Sequence, residues 1–137
     1  MKNQIYTGTP TSRRFSLLPT TVKAGDALLL GKEPAVAMDD YQAVSGGATC
    51  MTGGSFTLTV EGNTSLSPTT PGALKPGDKV YAFGGTLDAT TNVTTAFTLC
   101  GDSVYGVLFG FIDPSYAAGV TSGATNTATT VRLQGAE

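Results

Sequence analysis

The sequence has no histidine and no tryptophan, only two cysteines, and few charged residues. Without histidine the chain lacks the usual general base and the commonest metal ligand, so hydrolysis by a serine or cysteine with a histidine base is excluded. Charged residues make up 13% of the chain, about half of the roughly 25% that is usual in soluble domains. We therefore expect no enzyme, no cofactor and no metal site.

The charge pattern also narrows the classes of partner. A net charge of −2 argues against a nucleic-acid-binding protein, which normally has a basic surface. Basic residues nevertheless gather early in the chain, at Lys2, Arg13, Arg14, Lys23 and Lys32, and their only acidic neighbours there are Asp26 and Glu33. Such a segment is either an ordinary solvated arm or an arm that docks on an acidic partner.

Membrane and secretion signals are missing from the sequence. The longest apolar run, residues 104–112, is far too short to span a membrane, and residues 1–10 lack the apolar core of a signal peptide. We expect synthesis in the cytoplasm and no membrane partner. In that reducing compartment Cys50 and Cys100, which lack CxxC spacing, are expected to be buried thiols rather than a disulfide.

Threonine, serine and glycine are abundant in place of charged residues, and this composition is typical of a β protein. We predict an all-β fold, a compact sandwich or barrel, with an extended N-terminal arm over residues 1–21 and a single β domain over residues 22–137. Asp113, Pro114 and Gly119 allow at most one short helix, near residues 113–118. The clearest strand predictions are residues 27–30, 35–38, 56–60, 80–83, 96–99, 104–112 and 129–133.

An internal repeat is the most informative feature of the sequence. The run VKAGDAL at residues 22–28 recurs as LKPGDKV at residues 74–80. Each glycine precedes an aspartate, and the Pro-Gly pair in the second copy is typical of a type II turn, in which glycine supplies the positive φ. We predict structural turns at Gly25, Asp26, Gly77 and Asp78, with the aspartates bonded to nearby backbone amides. The repeat indicates two similar β units.

Three other patterns in the sequence need no catalytic or ligand-binding role to explain them. Asp39 and Asp40 are adjacent, so they point to opposite faces of a strand, and a surface turn accounts for them better than a catalytic pair. Residues 25–33 differ from a phosphate-binding loop by one extra residue, and Glu33 stands where Ser or Thr would hold magnesium. The aromatic residues at alternate strand positions are expected in the core; they are Tyr81, Phe83, Phe97, Tyr105, Phe109 and Phe111.

Four segments in order resemble the small capsid decoration (cement) proteins of tailed bacteriophages, which are often catalogued as a family of unknown function. The segments are VKAGD at residues 22–26, LKPGDKVY at 74–81, SVYGVL at 103–108 and ATTVRL at 128–133. The resemblance covers about residues 22–133. The chain departs from the family pattern in its longer, basic arm and in the glycine-rich residues 45–54.

This resemblance implies a structural virion protein that binds the outer surface of the capsid and stabilises the expanded shell by bridging major capsid protein subunits. It also implies a homotrimer or a dimer, located on the capsid exterior. Within the arm, Arg13 and Arg14 are the predicted polar contacts to the capsid or another partner, and Phe15 is the apolar one. The alternatives left open are another virion β-protein, such as a tail-tube or head-fibre subunit, and a carbohydrate-binding module.

Overall fold

The computed structural model describes residues 12–66, 68–114, 119–125 and 127–133, and within them the protein is all-β with no helix. The predicted fold class is therefore confirmed. The short helix expected near residues 113–118 does not include Asp113 or Pro114, and residues 115–118 lie outside the described residues. The described strands are β1 (Ser12–Phe15), β2 (Ala27–Leu30), β3 (Glu33–Ala37), β4 (Ala48–Met51), β5 (Ser55–Val60), β6 (Asn63–Leu66), β7 (Thr69–Pro71), β8 (Lys79–Phe83), β9 (Thr86–Asp88), β10 (Val93–Thr95), β11 (Thr98–Cys100), β12 (Val107–Ile112) and β13 (Thr127–Leu133).

The strands form one open sheet, one barrel and one hairpin. The open sheet has six strands in the order β1-β4-β3-β2-β10-β9, so among the described strands β1 and β9 are its edges. The barrel is closed by β11-β5-β13-β12-β8, and β6 pairs with β7. Only β5 and β11 pair in parallel among the described strands, through a single register pair of Leu99 with Val60.

The alternation of apolar residues and threonine explains the longest strand pair. On β5, Leu58 and Val60 are buried, whereas Thr57 and Thr59 are exposed. β13 pairs with β5 over six residues, from Thr127 opposite Val60 to Arg132 opposite Ser55. Because successive strand residues point to opposite faces, this register puts one face in the core and the other in water, as the sequence predicts.

The core has two parts, separated by the middle of the open sheet. Leu29 packs in the cluster that fills the barrel, where Phe109 and Ile112 are fully buried. Its neighbour Leu28 packs on the opposite face, in a second cluster that includes Cys50. The centre of the six-stranded sheet is therefore covered on both faces, and one of those faces is shared with the barrel.

The one glycine of β12, Gly110, lies where another strand approaches closely. A Cβ at Gly110 would lie 2.2 Å from the carbonyl oxygen of Arg132 on β13, and the β12–β8 register shifts between Leu108 and Gly110. This close approach of another backbone is what glycine on one strand face predicts. The expected strand over residues 104–112 is wrong at its start, because Val104 and Tyr105 form a turn instead.

Residues 12–18, which belong to the expected N-terminal arm, are built into the domain. Ser12–Phe15 pairs with β4 along its whole length, from Ser12 opposite Met51 to Phe15 opposite Ala48. Leu18 and Val22 are buried in the second cluster. The described part of the arm is thus an edge strand and its anchor, and residues 1–11 lie outside the described residues.

Candidate interaction surfaces

The three predicted contact residues, Arg13, Arg14 and Phe15, lie together on β1, at one edge of the six-stranded sheet. The guanidinium of Arg14 donates a hydrogen bond to the hydroxyl of Ser45 in the β3–β4 loop. Phe15 is half-buried against the second cluster, so it fixes the edge strand to the domain. β1 is therefore an edge strand that carries an exposed arginine, Arg14, and is held in place by the packing of Phe15.

The β3–β4 loop supports this edge through a glycine. A Cβ at Gly47 would lie 2.3 Å from the carbonyl oxygen of Phe15, so the loop and β1 approach more closely than any side chain would allow. The amides of Gly46 and Gly47 both donate to the carbonyl of Gln42, which closes the loop tightly. The glycines between β3 and β4 therefore allow the loop to lie directly against the edge strand.

The two predicted Gly-Asp turns have matching geometry. Gly25 and Gly77 have φ of 90° and 92°, and the amides of Asp26 and Asp78 donate to the carbonyls of Lys23 and Lys75 at 3.1 and 2.9 Å. These are the values expected of type II turns, the turn type that the Pro-Gly pair of the second copy indicates. One turn begins β2 in the open sheet and the other begins β8 in the barrel, so they do not form a common site.

The adjacent carboxylates do not converge either. Asp39 accepts a hydrogen bond from the amide of Thr49 at 2.9 Å, and Asp40 accepts one from the amide of Ala24 at 2.8 Å. Each carboxylate therefore accepts a hydrogen bond from a different backbone segment. This agrees with the sequence argument that the pair belongs to a surface turn.

A second surface, which the sequence did not predict, surrounds β9 at the other edge of the sheet. A groove of about 320 Å³ runs between β2 and β10 on one side and β8 and β12 on the other. Leu87 on β9 and Tyr105 both line it and are 59% and 68% exposed. Tyr105 was expected in the core, and that expectation is wrong.

Asp102 is the reason why Tyr105 faces outward. Its carboxylate is fully buried and accepts hydrogen bonds from the amides of Val104 and Tyr105, both at 3.0 Å, and from the amide of Leu66 at 3.3 Å. The hydrogen bond from the Tyr105 amide is the largest influence on the pKa of Asp102 and lowers it. The bonds from Leu66 and Val104 act in the same direction, and the pKa stays below its ordinary value although burial alone would raise it. The turn thus puts Val104 and Tyr105 on the surface beside β9.

A wider cleft of about 450 Å³ lies where the chain passes from the open sheet into the barrel. Ala96, between β10 and β11, makes this change of direction with a φ of 58°, which is uncommon for a residue other than glycine. Among the residues that line the cleft, Asp26 alone is charged, and its carboxylate accepts the amide of Lys23 at 3.0 Å. The rest of the lining is apolar or threonine.

Both cysteines are buried and free, as predicted. Burial, and secondarily the charge of Asp39, raises the pKa of the Cys50 thiol to about 11. Burial also raises the pKa of Cys100. A thiol reacts as the thiolate, so both positions are poor nucleophiles in the folded state.

Among the described residues, no group of three or more histidine, cysteine, aspartate or glutamate side chains is placed to hold a metal ion. In the same part of the chain no helix has the length and apolar character needed to cross a membrane. No protein-family model matches the chain, and neither a curated protein nor a solved structure is significantly similar to it.

Proposed function

We propose that the chain is a structural protein of a bacteriophage virion, which binds the outer surface of the capsid and stabilises the expanded shell by bridging major capsid protein subunits. The proposal starts from the four ordered segments that resemble the capsid decoration proteins. Two of those segments, residues 22–26 and 74–81, contain the Gly-Asp turns.

The matching geometry of these turns is the observation that carries the proposal. In each copy the lysine amide bonds to the aspartate carboxylate, at 3.0 Å for Lys23 and 2.8 Å for Lys75. The amides of Gly25 and Gly77 each donate at 2.8 Å to a carbonyl on the strand that pairs with the one following the turn. A short sequence match at two places is weak, but a match that coincides with the same structural unit twice supports the resemblance more strongly.

The β1 edge supports a role in binding another protein. An edge strand offers unpaired backbone groups to a partner strand, a recurring mode of recognition between proteins. The positive charge of the β1 sequence favours an acidic partner and would oppose pairing of β1 with its own copy, since like charges across a strand pair are unfavourable. This edge therefore suits a different protein, which in the proposed function is the major capsid protein.

Binding to purified capsids tests the proposal. The protein is mixed with expanded and unexpanded capsids of the phage that encodes it, and the bound fraction is measured after sedimentation. We expect saturable binding to expanded capsids and a higher temperature of capsid disruption when they are decorated. Failure to bind either form would refute the proposed function.

Paired charge reversals test the role of the β1 edge within that experiment. Arg13→Glu with Arg14→Glu should weaken capsid binding by roughly tenfold or more, because opposite charges across an interface become like charges. The matched control is Lys23→Glu with Lys75→Glu, which reverses two exposed charges at the Gly-Asp turns. Equal binding by the two double variants would show that the capsid contacts lie elsewhere on the protein.

Protein composition of the virion separates this function from that of another virion β-protein. Heads and tails are separated, and the chain is quantified in each by mass spectrometry. Decoration predicts many copies on heads, whereas a tail-tube subunit would be found with tails.

A further inference from the structure

The β9 edge differs from the β1 edge in both charge and exposed apolar surface. β9 pairs only with β10 among the described strands, and its three residues are Thr86, Leu87 and Asp88. Leu87 is its central residue and is 59% exposed, although an exposed leucine on an open strand edge is what soluble proteins usually avoid. We therefore expect a protein surface that fits an apolar strand edge to cover Leu87.

The surroundings of Leu87 extend this apolar surface. Tyr105 lines the same groove and is 68% exposed, and the neighbouring Val104 is also exposed. Both are held outward by the buried carboxylate of Asp102. The groove lining contains one cation, Lys32, and β9 itself contains one anion, Asp88. The surface is thus apolar at its centre, and the two charges at its margin, on Lys32 and Asp88, have opposite signs.

We infer that β9 is the self-association edge of this protein, where a second copy pairs antiparallel with it about a two-fold axis through Leu87. A two-fold interface brings the same surface patch of both copies together, so it requires a patch that is compatible with itself. A surface with one positive and one negative charge meets this condition, whereas the two arginines of β1 do not. The net charge of −2 per chain adds little repulsion.

The register follows from the length of the strand. β9 has three residues, so antiparallel pairing of two copies over the whole strand puts Leu87 directly opposite Leu87 of the second copy. Thr86 of each copy then lies opposite Asp88 of the other. Directly opposed residues on an antiparallel pair have Cβ atoms about 5 Å apart and lie on the same face. The two leucines would therefore cover each other, and the two open sheets would become continuous.

Engineered cysteines test this register directly. Leu87→Cys should form a disulfide-linked dimer under mild oxidation, because directly opposed positions on paired strands are within reach of a disulfide. Thr86→Cys alone should not, but Thr86→Cys mixed with Asp88→Cys should. Val44→Cys, at a fully exposed apolar position in the β3–β4 loop, is the matched control. The native Cys50 and Cys100 are buried and should not interfere.

Association in solution provides an independent measurement. Sedimentation equilibrium of the full chain should show a concentration-dependent monomer–dimer equilibrium. Leu87→Lys should raise the dissociation constant by at least about tenfold, since it replaces opposed apolar side chains with opposed like charges. Val44→Lys should leave it unchanged. A monomer at all concentrations, a trimer, or a Leu87→Cys variant that cross-links no faster than Val44→Cys would overturn the inference, and none of these results depends on capsid binding.

Discussion

The carboxylates of Asp26 and Asp78 hold equivalent positions in two different sheets, 52 residues apart in the chain (78 − 26). Each accepts a hydrogen bond from the backbone amide of the lysine three residues earlier, and each aspartate amide donates back to the carbonyl of that same lysine. Each aspartate carbonyl also accepts from the partner strand, Asp26 from the amide of Ala37 and Asp78 from that of Ile112, both at 2.9 Å. The two turns are therefore the same local structure, used once to begin β2 and once to begin β8.

Replacement of either turn glycine by alanine should destabilise the protein to a similar degree. Nothing lies within 4 Å of a Cβ built at Gly25 or at Gly77, so the cost comes from the positive φ alone. That cost is about 1–2 kcal/mol for a residue other than glycine. Because the turns share no hydrogen-bond partner, the two effects should add in the double variant. Urea unfolding of the Gly25→Ala, Gly77→Ala and double variants measures this, and a strong departure from additivity would show that the turns are coupled.

The features that could be predicted from the sequence are those that depend on nearby residues. The Gly-Asp turns need only four consecutive residues, and β2 was predicted at Ala27–Leu30 because its apolar residues follow such a turn. β5 was predicted because six residues are enough to show alternation. β9 and β10, with three residues each, are too short for a pattern, and their place in the sheet depends on the pairing of β10 with the distant strand β2.

The second interaction surface could not be predicted for a related reason. Residues 104 and 105 are β-branched and aromatic, which favours a strand. Their backbone amides instead donate hydrogen bonds to a buried carboxylate, and this holds them in a turn. That carboxylate, on Asp102, is in turn held by the amide of Leu66, 36 residues away. A short-range signal did exist, since aspartate often bonds to amides two or three residues later. The part played by Leu66 is a tertiary contact and has no signal in the local sequence.

Asp102 should make the stability of the protein depend on pH in the acid range. Its folded pKa is lowered, chiefly by the Tyr105 amide and then by those of Leu66 and Val104. Protonation is therefore easier in the unfolded chain, so this stabilisation is complete well above pH 4 and is lost as the pH falls below about 4 through the folded pKa.

Asp102→Asn tests that dependence. An amide nitrogen cannot accept the hydrogen bonds that both carboxylate oxygens accept, so we expect the variant to be less stable than wild type at pH 7. The difference in the free energy of unfolding should shrink between pH 5 and pH 2, as wild type loses its own advantage. Asp40→Asn, at an exposed carboxylate with one amide partner, is the control and should have a smaller effect at pH 7. A constant difference across this pH range would contradict the assignment.

The cysteines should be unreactive until the protein unfolds. With a pKa of about 11, the thiolate fraction of Cys50 at pH 8 is roughly 100-fold below that of an ordinary thiol, and burial restricts access further. We expect an aromatic disulfide reagent to label neither thiol quickly in buffer and both in urea. Rapid labelling of one thiol in the folded protein would show that its part of the core opens easily.

Among the residues of the barrel core, Phe109 should be the one whose substitution lowers the free energy of unfolding most. Its side chain is fully buried, and its ring lies 5.5 Å from that of Phe97, tilted by 53°, in the range of favourable aromatic pairs. Phe109→Ala should cost about 3–5 kcal/mol, because it removes the buried ring and leaves a cavity. Phe97→Ala should cost less, since Phe97 is only partly buried. Both costs are measured by urea unfolding, and Phe109→Leu, which keeps most of the apolar volume, should recover much of the loss. If Phe97→Ala proved the more damaging variant, the barrel core would be centred nearer to β11 than the packing of Phe109 indicates.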